Sequence, residues 1–179
     1  MIEKIDDRLW LVKQLLPQDQ VQHIMSLPWA DFDWQKENLQ ETWPRRKINS
    51  DIMPVSQVTQ YIRDCLPVIN QALGTKFESC DGHWWVDCEG FTCDMHTDGH
   101  LPNSMQLYWI APGTQYGTGF YHYKTRASIK YQFDSVPNSG YIMLNHCDPD
   151  GSQPLQWHGM FNPVPSGTIR LSSYFYFYK

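Results

Sequence analysis

The run Thr168-Ile-Arg-Leu-Ser-Ser-Tyr-Phe-Tyr-Phe-Tyr178 carries the clearest period of two in the sequence. Successive side chains of a strand point to opposite faces, so Arg170, Ser172, Tyr174, Tyr176 and Tyr178 share one face and Leu171, Ser173, Phe175 and Phe177 the other. Both faces are half-apolar, which suits a strand inside a stack of two sheets. An arginine in such a strand needs an anionic partner, because an unpaired buried charge is prohibitive.

Working outward, the same texture extends back to Thr75: short aromatic and β-branched runs punctuated by Gly, Pro, Asn and Asp. Candidate strands are Trp84 to Cys88, Phe91 to His96, Ser104 to Ala111, Gly119 to Tyr123, Ser128 to Phe133, Gly140 to Asn145, Leu155 to Met160 and Thr168 to Tyr178. Eight such segments suit a double-stranded β-helix, the jelly roll of two facing sheets. The first 79 residues read as a helical or mixed layer. Arg8 to Leu16 is a strand in which Trp10 and Val12 oppose Leu9 and Leu11. Gln18 to Leu27 is a short helix through Val21, Ile24 and Met25. Asp31 to Asn49 is a loop with an irregular or strand segment. From an N-cap at Ser56 a longer helix runs to Leu73, kinked at Pro67, ended by Gly74, and packed on the sheet through Val58, Ile62, Cys65 and Ile69. The expected fold class is therefore α+β, mainly β, with residues 1–179 forming one domain: a layer over 1–79 and a jelly-roll core over 80–179.

The formal charge of -5 and a single basic cluster, Arg45-Arg46-Lys47, argue against a protein that lives on nucleic-acid phosphates. That cluster reads either as a solvated surface feature or as an anchor for an acidic substrate. No apolar run reaches the length of a membrane helix, and the first residues lack a secretory pattern, so a soluble cytoplasmic protein is expected. Cys65, Cys80, Cys88, Cys93 and Cys147 make an odd set with no C-x-x-C pair, which points to free thiols in a reducing compartment. Cys88, Cys93, His96 and His100 form a zinc-like string, but Asp98 between the two histidines suggests a different metal chemistry.

His96-Thr97-Asp98 places an imidazole and a carboxylate two residues apart at the end of a β segment, and His158 sits in a strand candidate sixty residues beyond Asp98. Two histidines and one carboxylate form the facial triad of non-heme iron sites, with coordination positions left open. Arg170 follows twelve residues after His158, with Ser172 on the same face. A guanidinium beside a hydroxyl can clamp a carboxylate. Of the other histidines, His100 lies near the triad without joining it, His122 and His146 flank β segments and could face the mouth of the barrel, and His23 and His83 look uninvolved.

On these residues, His96-x-Asp98, His158 and Arg170-x-Ser172, the sequence resembles the Fe(II)- and 2-oxoglutarate-dependent dioxygenases, and among them the small prolyl 4-hydroxylase-like members. The resemblance covers about residues 80 to 178. It implies Fe(II) held by His96, Asp98 and His158, with 2-oxoglutarate as co-substrate, its far carboxylate on Arg170 and Ser172, and Tyr108 or Trp109 packed against it. It implies hydroxylation of a substrate C–H bond by O2 with release of succinate and CO2, the substrate being a prolyl or other residue of a peptide or protein, or a small molecule. Two features depart from the family: many prolyl hydroxylases anchor the co-substrate with lysine, and the tyrosine that several carry before H-x-D has no counterpart, Trp85 or Cys88 standing near that place. A non-catalytic cupin-like or carbohydrate-binding jelly roll accounts equally for the strands and aromatics, but not for the order of the metal-competent groups.

Overall fold

The structure is a computed structural model that describes residues 1–32, 34–36, 44–49, 55–98, 101–145 and 156–179. His100, His146 and Cys147 lie outside the described residues.

Strands β1 (Ile2–Asp6) and β2 (Leu9–Lys13) form a hairpin, followed by helix α1 (Gln18–Ser26) and strands β3 (Gln35–Lys36) and β4 (Arg45–Asn49). Helices α2 (Val55–Asp64) and α3 (Leu66–Leu73) lead into β5 (Ser79–Asp87), β6 (Asn103–Ile110), β7 (Thr118–Tyr121), β8 (Ile129–Gln132), β9 (Ser139–Met143), β10 (Trp157–Met160) and β11 (Arg170–Tyr178). All ladders are antiparallel. A large sheet runs β1-β2-β9-β6-β11-β5-β4-β3 and a small one β10-β7-β8.

The alternation read from the sequence decides which layer each side chain joins. Trp10, Val12, Leu171 and Phe175 enter one core with Val21 and Ile24 of α1, Val58 and Ile62 of α2, and Ile69 of α3. Leu9, Leu11, Tyr141 and Met143 turn to the opposite face and meet Phe120 and Phe133 of the small sheet. The large sheet is thus sandwiched between a helical layer and the small sheet, the jelly-roll arrangement expected from the strand count. No helix among the described residues is long and apolar enough to cross a membrane.

Several expectations need correction. Phe91 to His96 is not a strand: it follows the β10–β11 connection irregularly, with Val164 N–H donating to Phe91 O and Met160 N–H to Cys93 O, both at 2.9 Å. Phe91 instead anchors a small cluster with Met160 and Val164. The helix expected over residues 56–73 is two helices broken at Cys65, because Pro67 has no N–H for the carbonyl four residues back and its ring crowds that carbonyl. Ser56 lies inside the first turn of α2, not at its cap, and Cys65 is only partly buried. Gly74 does end α3, in the left-handed conformation at φ 68°. The charge-rich strand β1 was not expected, whereas β4 is the strand segment allowed for between Asp31 and Asn49.

Candidate metal centre

His158 sits in the middle of β10, where its backbone pairs with Phe120 and its ring stacks on the Phe120 ring at a centroid distance of 5.3 Å. His96 reaches the same edge of the small sheet from the irregular segment, through a two-bond bridge to His158: each N–H donates to the other's carbonyl at 2.9 Å. Gly159 makes that approach feasible. A Cβ there would stand 2.8 Å from Cys93 O and 3.1 Å from two atoms of Asp94, so only glycine lets the segment lie this close.

Two residues on, Asp98 turns its carboxylate between the rings, Oδ1 at 3.4 Å from His96 Nε2 and Oδ2 at 3.4 Å from His158 Nε2. One ligand atom from each of the three lies within 4.8 Å of the others. Both Nδ1 atoms are engaged, His96 with Asp94 O at 2.8 Å and His158 with Gln156 O at 3.0 Å. Donation from Nδ1–H fixes the tautomer and turns both Nε2 lone pairs inward, as metal-binding histidines require. Two imidazole nitrogens and one carboxylate therefore fit a divalent transition metal. Cys88 and Cys93 do not join the set, so the zinc-like string is not assembled among the described residues.

The three groups also shift one another's protonation, so a metal would displace the His96 proton on binding. Burial alone would raise the Asp98 carboxyl, but the neighbouring His158 and His96, with the Tyr174 hydroxyl, outweigh it and hold the group below its ordinary range. The Cys93 thiol, against the effect of burial and with help from Asp94 O and Asp98, pushes His96 up to about 9. Tyr174 on β11 donates to Asp98 Oδ2 at 3.0 Å and lies 2.8 Å from Ser104 Oγ, tying the carboxylate to the large sheet.

The three residues line a cavity of about 230 Å3 whose floor is the face of β11 that carries Arg170 and Tyr174, with Gln106, Thr118 and Tyr141 beside them. Arg170 is fully buried and does have the anionic partner that its position demands. Its Nε and Nη2 both reach Asp87 Oδ2, at 2.8 and 2.6 Å, and Nη1 donates to Tyr116 O at 2.8 Å. Arg45 from β4 binds the same carboxylate through Nε at 2.5 Å and Nη2 at 3.2 Å. Burial works to raise Asp87, yet the two guanidinium groups overcome it and keep the carboxyl below its usual range. Among the described residues, one carboxylate is thus shared by two guanidinium groups at this end of the cavity.

Ser172 and Tyr108 stand one layer behind the lining. Ser172 Oγ accepts from Gln106 Nε2 at 3.0 Å, and Tyr108 donates to Thr118 Oγ1 at 2.8 Å. Thr118 Oγ1 and Tyr141 in turn donate to Gln106 Oε1, at 3.2 and 2.8 Å. Trp109 is placed wrongly by the sequence reading: it faces the helical core, stacked on Trp84 at 5.4 Å with its N–H on Ser173 Oγ. Strand alternation permits only one of Tyr108 and Trp109 to point to the cavity side of the sheet, and the register Ser172↔Tyr108 selects Tyr108, behind the lining. His83, set aside in the sequence reading, lines the cavity with Trp85. The pattern His83-x-Trp85-x-Asp87 puts all three on one face of β5, but the strand was expected to begin only at Trp84.

No family model matches the chain, and no curated protein matches its sequence. Solved structures do resemble it. A Pseudomonas putida prolyl-4-hydroxylase superposes with a TM-score of 0.68 at 16% identity, covering 98% of this chain and 97% of that one. The viral collagen prolyl hydroxylase of Paramecium bursaria Chlorella virus-1, in its 2OG complex, gives 0.62 at 12% identity with 95% of both chains covered. HygX from Streptomyces hygroscopicus, with nickel, 2-oxoglutarate and hygromycin B bound, gives 0.65 at 9% identity over 94% of this chain and 82% of that one. At such identities the likeness is one of architecture: this chain has the jelly-roll fold of the 2-oxoglutarate- and Fe(II)-dependent oxygenases.

Proposed function

We propose that the protein is an Fe(II)- and 2-oxoglutarate-dependent dioxygenase that hydroxylates a C–H bond of its substrate. The observation that carries this reading is the convergence of His96 Nε2, His158 Nε2 and the Asp98 carboxylate on one wall of a cavity whose far end carries Arg170 and Arg45. The fold shared with prolyl hydroxylases and with a 2-oxoglutarate-bound oxygenase supports it.

Fe(II) at His96, Asp98 and His158 would supply the site at which O2 is reduced by four electrons, two from 2-oxoglutarate as it becomes succinate and CO2 and two from the substrate C–H. One oxygen atom ends in succinate and the other in the new hydroxyl. The chain's own residues bind, orient and exclude water. The carbonyls of Asp94 and Gln156 hold the two imidazoles in register, and Tyr174 holds Asp98. Arg170 and Arg45 attract the far carboxylate of the co-substrate, Asp87 fixing both guanidiniums before it arrives. Ser172 and Tyr108 act through Gln106 and Thr118, whose polar atoms face the cavity. The buried Phe120 ring stacks on one face of the His158 imidazole and keeps water from it. The favoured substrate is a prolyl or other residue of a peptide or protein.

Anaerobic Fe(II) titration, with and without 2-oxoglutarate, tests the reading. A visible charge-transfer band that needs both ligands, followed by succinate release on admitting O2, is the expected result. Absence of the band with Fe(II) and 2-oxoglutarate in excess would refute it and leave a non-catalytic jelly roll.

A further inference from the structure

We infer that the primary substrate carries a carboxylate, read by Lys47 on the wall that leads away from the metal centre; this rests on the oxygenase reading above. The basic cluster Arg45-Arg46-Lys47 forms β4, and its alternation sends Arg45, Lys47 and Asn49 to the cavity face of the large sheet. Arg45 is engaged with Asp87. Lys47 differs: it is half-buried, its Nζ lies 5.5 Å from the centre of the Trp85 ring, and it has no ion pair with any described carboxylate.

Its place in the fold is what gives that ammonium a ligand. The metal-site cavity continues past His83 and Tyr176 into a second one of about 570 Å3, and both residues line the two. Lys47 and Arg63 face the second cavity, with Asp81 the one acidic residue in its described lining. A positive wall is also felt by His83, which is pushed down to about 3 by burial and then by the Lys47 and Arg45 charges. In a chain of net charge -5 this local reversal of sign is built by placement, not by composition.

The geometry also sets a length. The register Lys47↔Trp85↔Ser172 puts two strand spacings, roughly 10 Å, between Lys47 and Ser172, two residues along β11 from the tyrosine that holds Asp98. A substrate lying across β5 would place its carboxylate about that far from the C–H bond, a span of about three residues of extended peptide, or the two ends of a small acid of equal length. A charge-assisted bond at this half-buried site is worth about tenfold in affinity or more.

The test uses the Fe(II)- and 2-oxoglutarate-loaded protein under argon, so that nothing turns over. Two pools of five-residue peptide amides, identical but for a fixed Glu or a fixed Gln at the first position, are dialysed against it beside a pool of small N-acyl amino acids and the same acids as methyl esters. Retention is read by mass spectrometry. The inference expects Glu peptides or free acids to be retained about tenfold over Gln peptides or esters, the arm that responds showing whether the source is a peptide or a small molecule. Lys47→Gln should remove the preference and Lys47→Glu reverse it, with the circular dichroism spectrum unchanged. Equal retention of charged and neutral pools, retention of neither, or a preference that survives Lys47→Gln would overturn it. The charge-transfer band of the same samples reports separately on the oxygenase reading, so the two can fail independently.

Discussion

Replacing Asp87 by Asn removes the carboxylate charge that Arg45 and Arg170 share, at nearly unchanged volume. The carboxylate is fully buried and takes four N–H bonds, two from each guanidinium, between 2.5 and 3.2 Å. An Asn amide offers one acceptor oxygen and turns its NH2 donors toward guanidinium donors, so two buried cations are left facing each other. Breaking a buried pair by removing one partner costs about 3–5 kcal/mol, against a total stability of about 5–15 kcal/mol for a domain. With a urea slope of about 2 kcal/mol per M, the unfolding midpoint should fall by about 2 M at pH 7. Arg45→Met is the control, because it leaves a one-to-one pair of Asp87 with Arg170 and should cost much less. The pH dependence gives a second reading. The folded Asp87 titrates below its unfolded value near 3.8, so its contribution is fully present above that pH and is lost as pH falls through the lower, folded value. The gap between parent and Asp87→Asn should therefore close only in strong acid. A midpoint shift under 0.5 M, or a gap unchanged down to pH 2, would refute the view that one carboxylate holds both arginines in place.

Arg170→Ala should weaken 2-oxoglutarate binding by about 30-fold or more while Fe(II) binding stays near the parent's, with Arg170→Lys intermediate because it keeps the charge and loses the fork; titration of the co-substrate into each iron-loaded variant checks this, and equal affinities would remove Arg170 from the site. Gly159→Ala forces the segment at Cys93 and Asp94 away from β10, so Fe(II) affinity should drop by about tenfold or more while the far-ultraviolet spectrum is kept; unchanged affinity would show that the close approach is not needed. His83 is held neutral, with a folded value of about 3 against an unfolded value near 6.5, so stability should be full above pH 6.5 and decline below it by up to about 1.4 kcal/mol per pH unit. His83→Gln should flatten that slope in urea titrations between pH 4 and 7, and an identical slope would contradict the assignment.

The parts of this protein that could be read from the chain are those whose chemistry is local. Alternation in β11 gave both of its faces, and the spacing of His96, Asp98 and His158 gave the donor set, because strand geometry and metal preference act through residue type alone. What was missed depends on partners from distant segments. Asp87 looked like the end of a short strand, and only the register Arg45↔Asp87↔Arg170 reveals it as the partner of two arginines. The strand β1, with Glu3, Lys4 and Asp6, lies at a sheet edge where charge is tolerated, so its hydrophobic signal is weak. Phe91 to Cys93 has strand-like composition but bonds to a neighbouring connection and not to a ladder, which no propensity reports.

Because β11 carries the floor of the cavity on one edge of its pleat and the middle of the helical core on the other, it is open to substitution but closed to any change of length. A single inserted or deleted residue before Ser172 would carry Phe175 and Phe177 into the polar cavity and bring Tyr174, Tyr176 and the Ser172 hydroxyl against Trp10 and the helices. Sequences that keep this chemistry can therefore diverge along the strand residue by residue, whereas gaps should fall in the connections on either side of it.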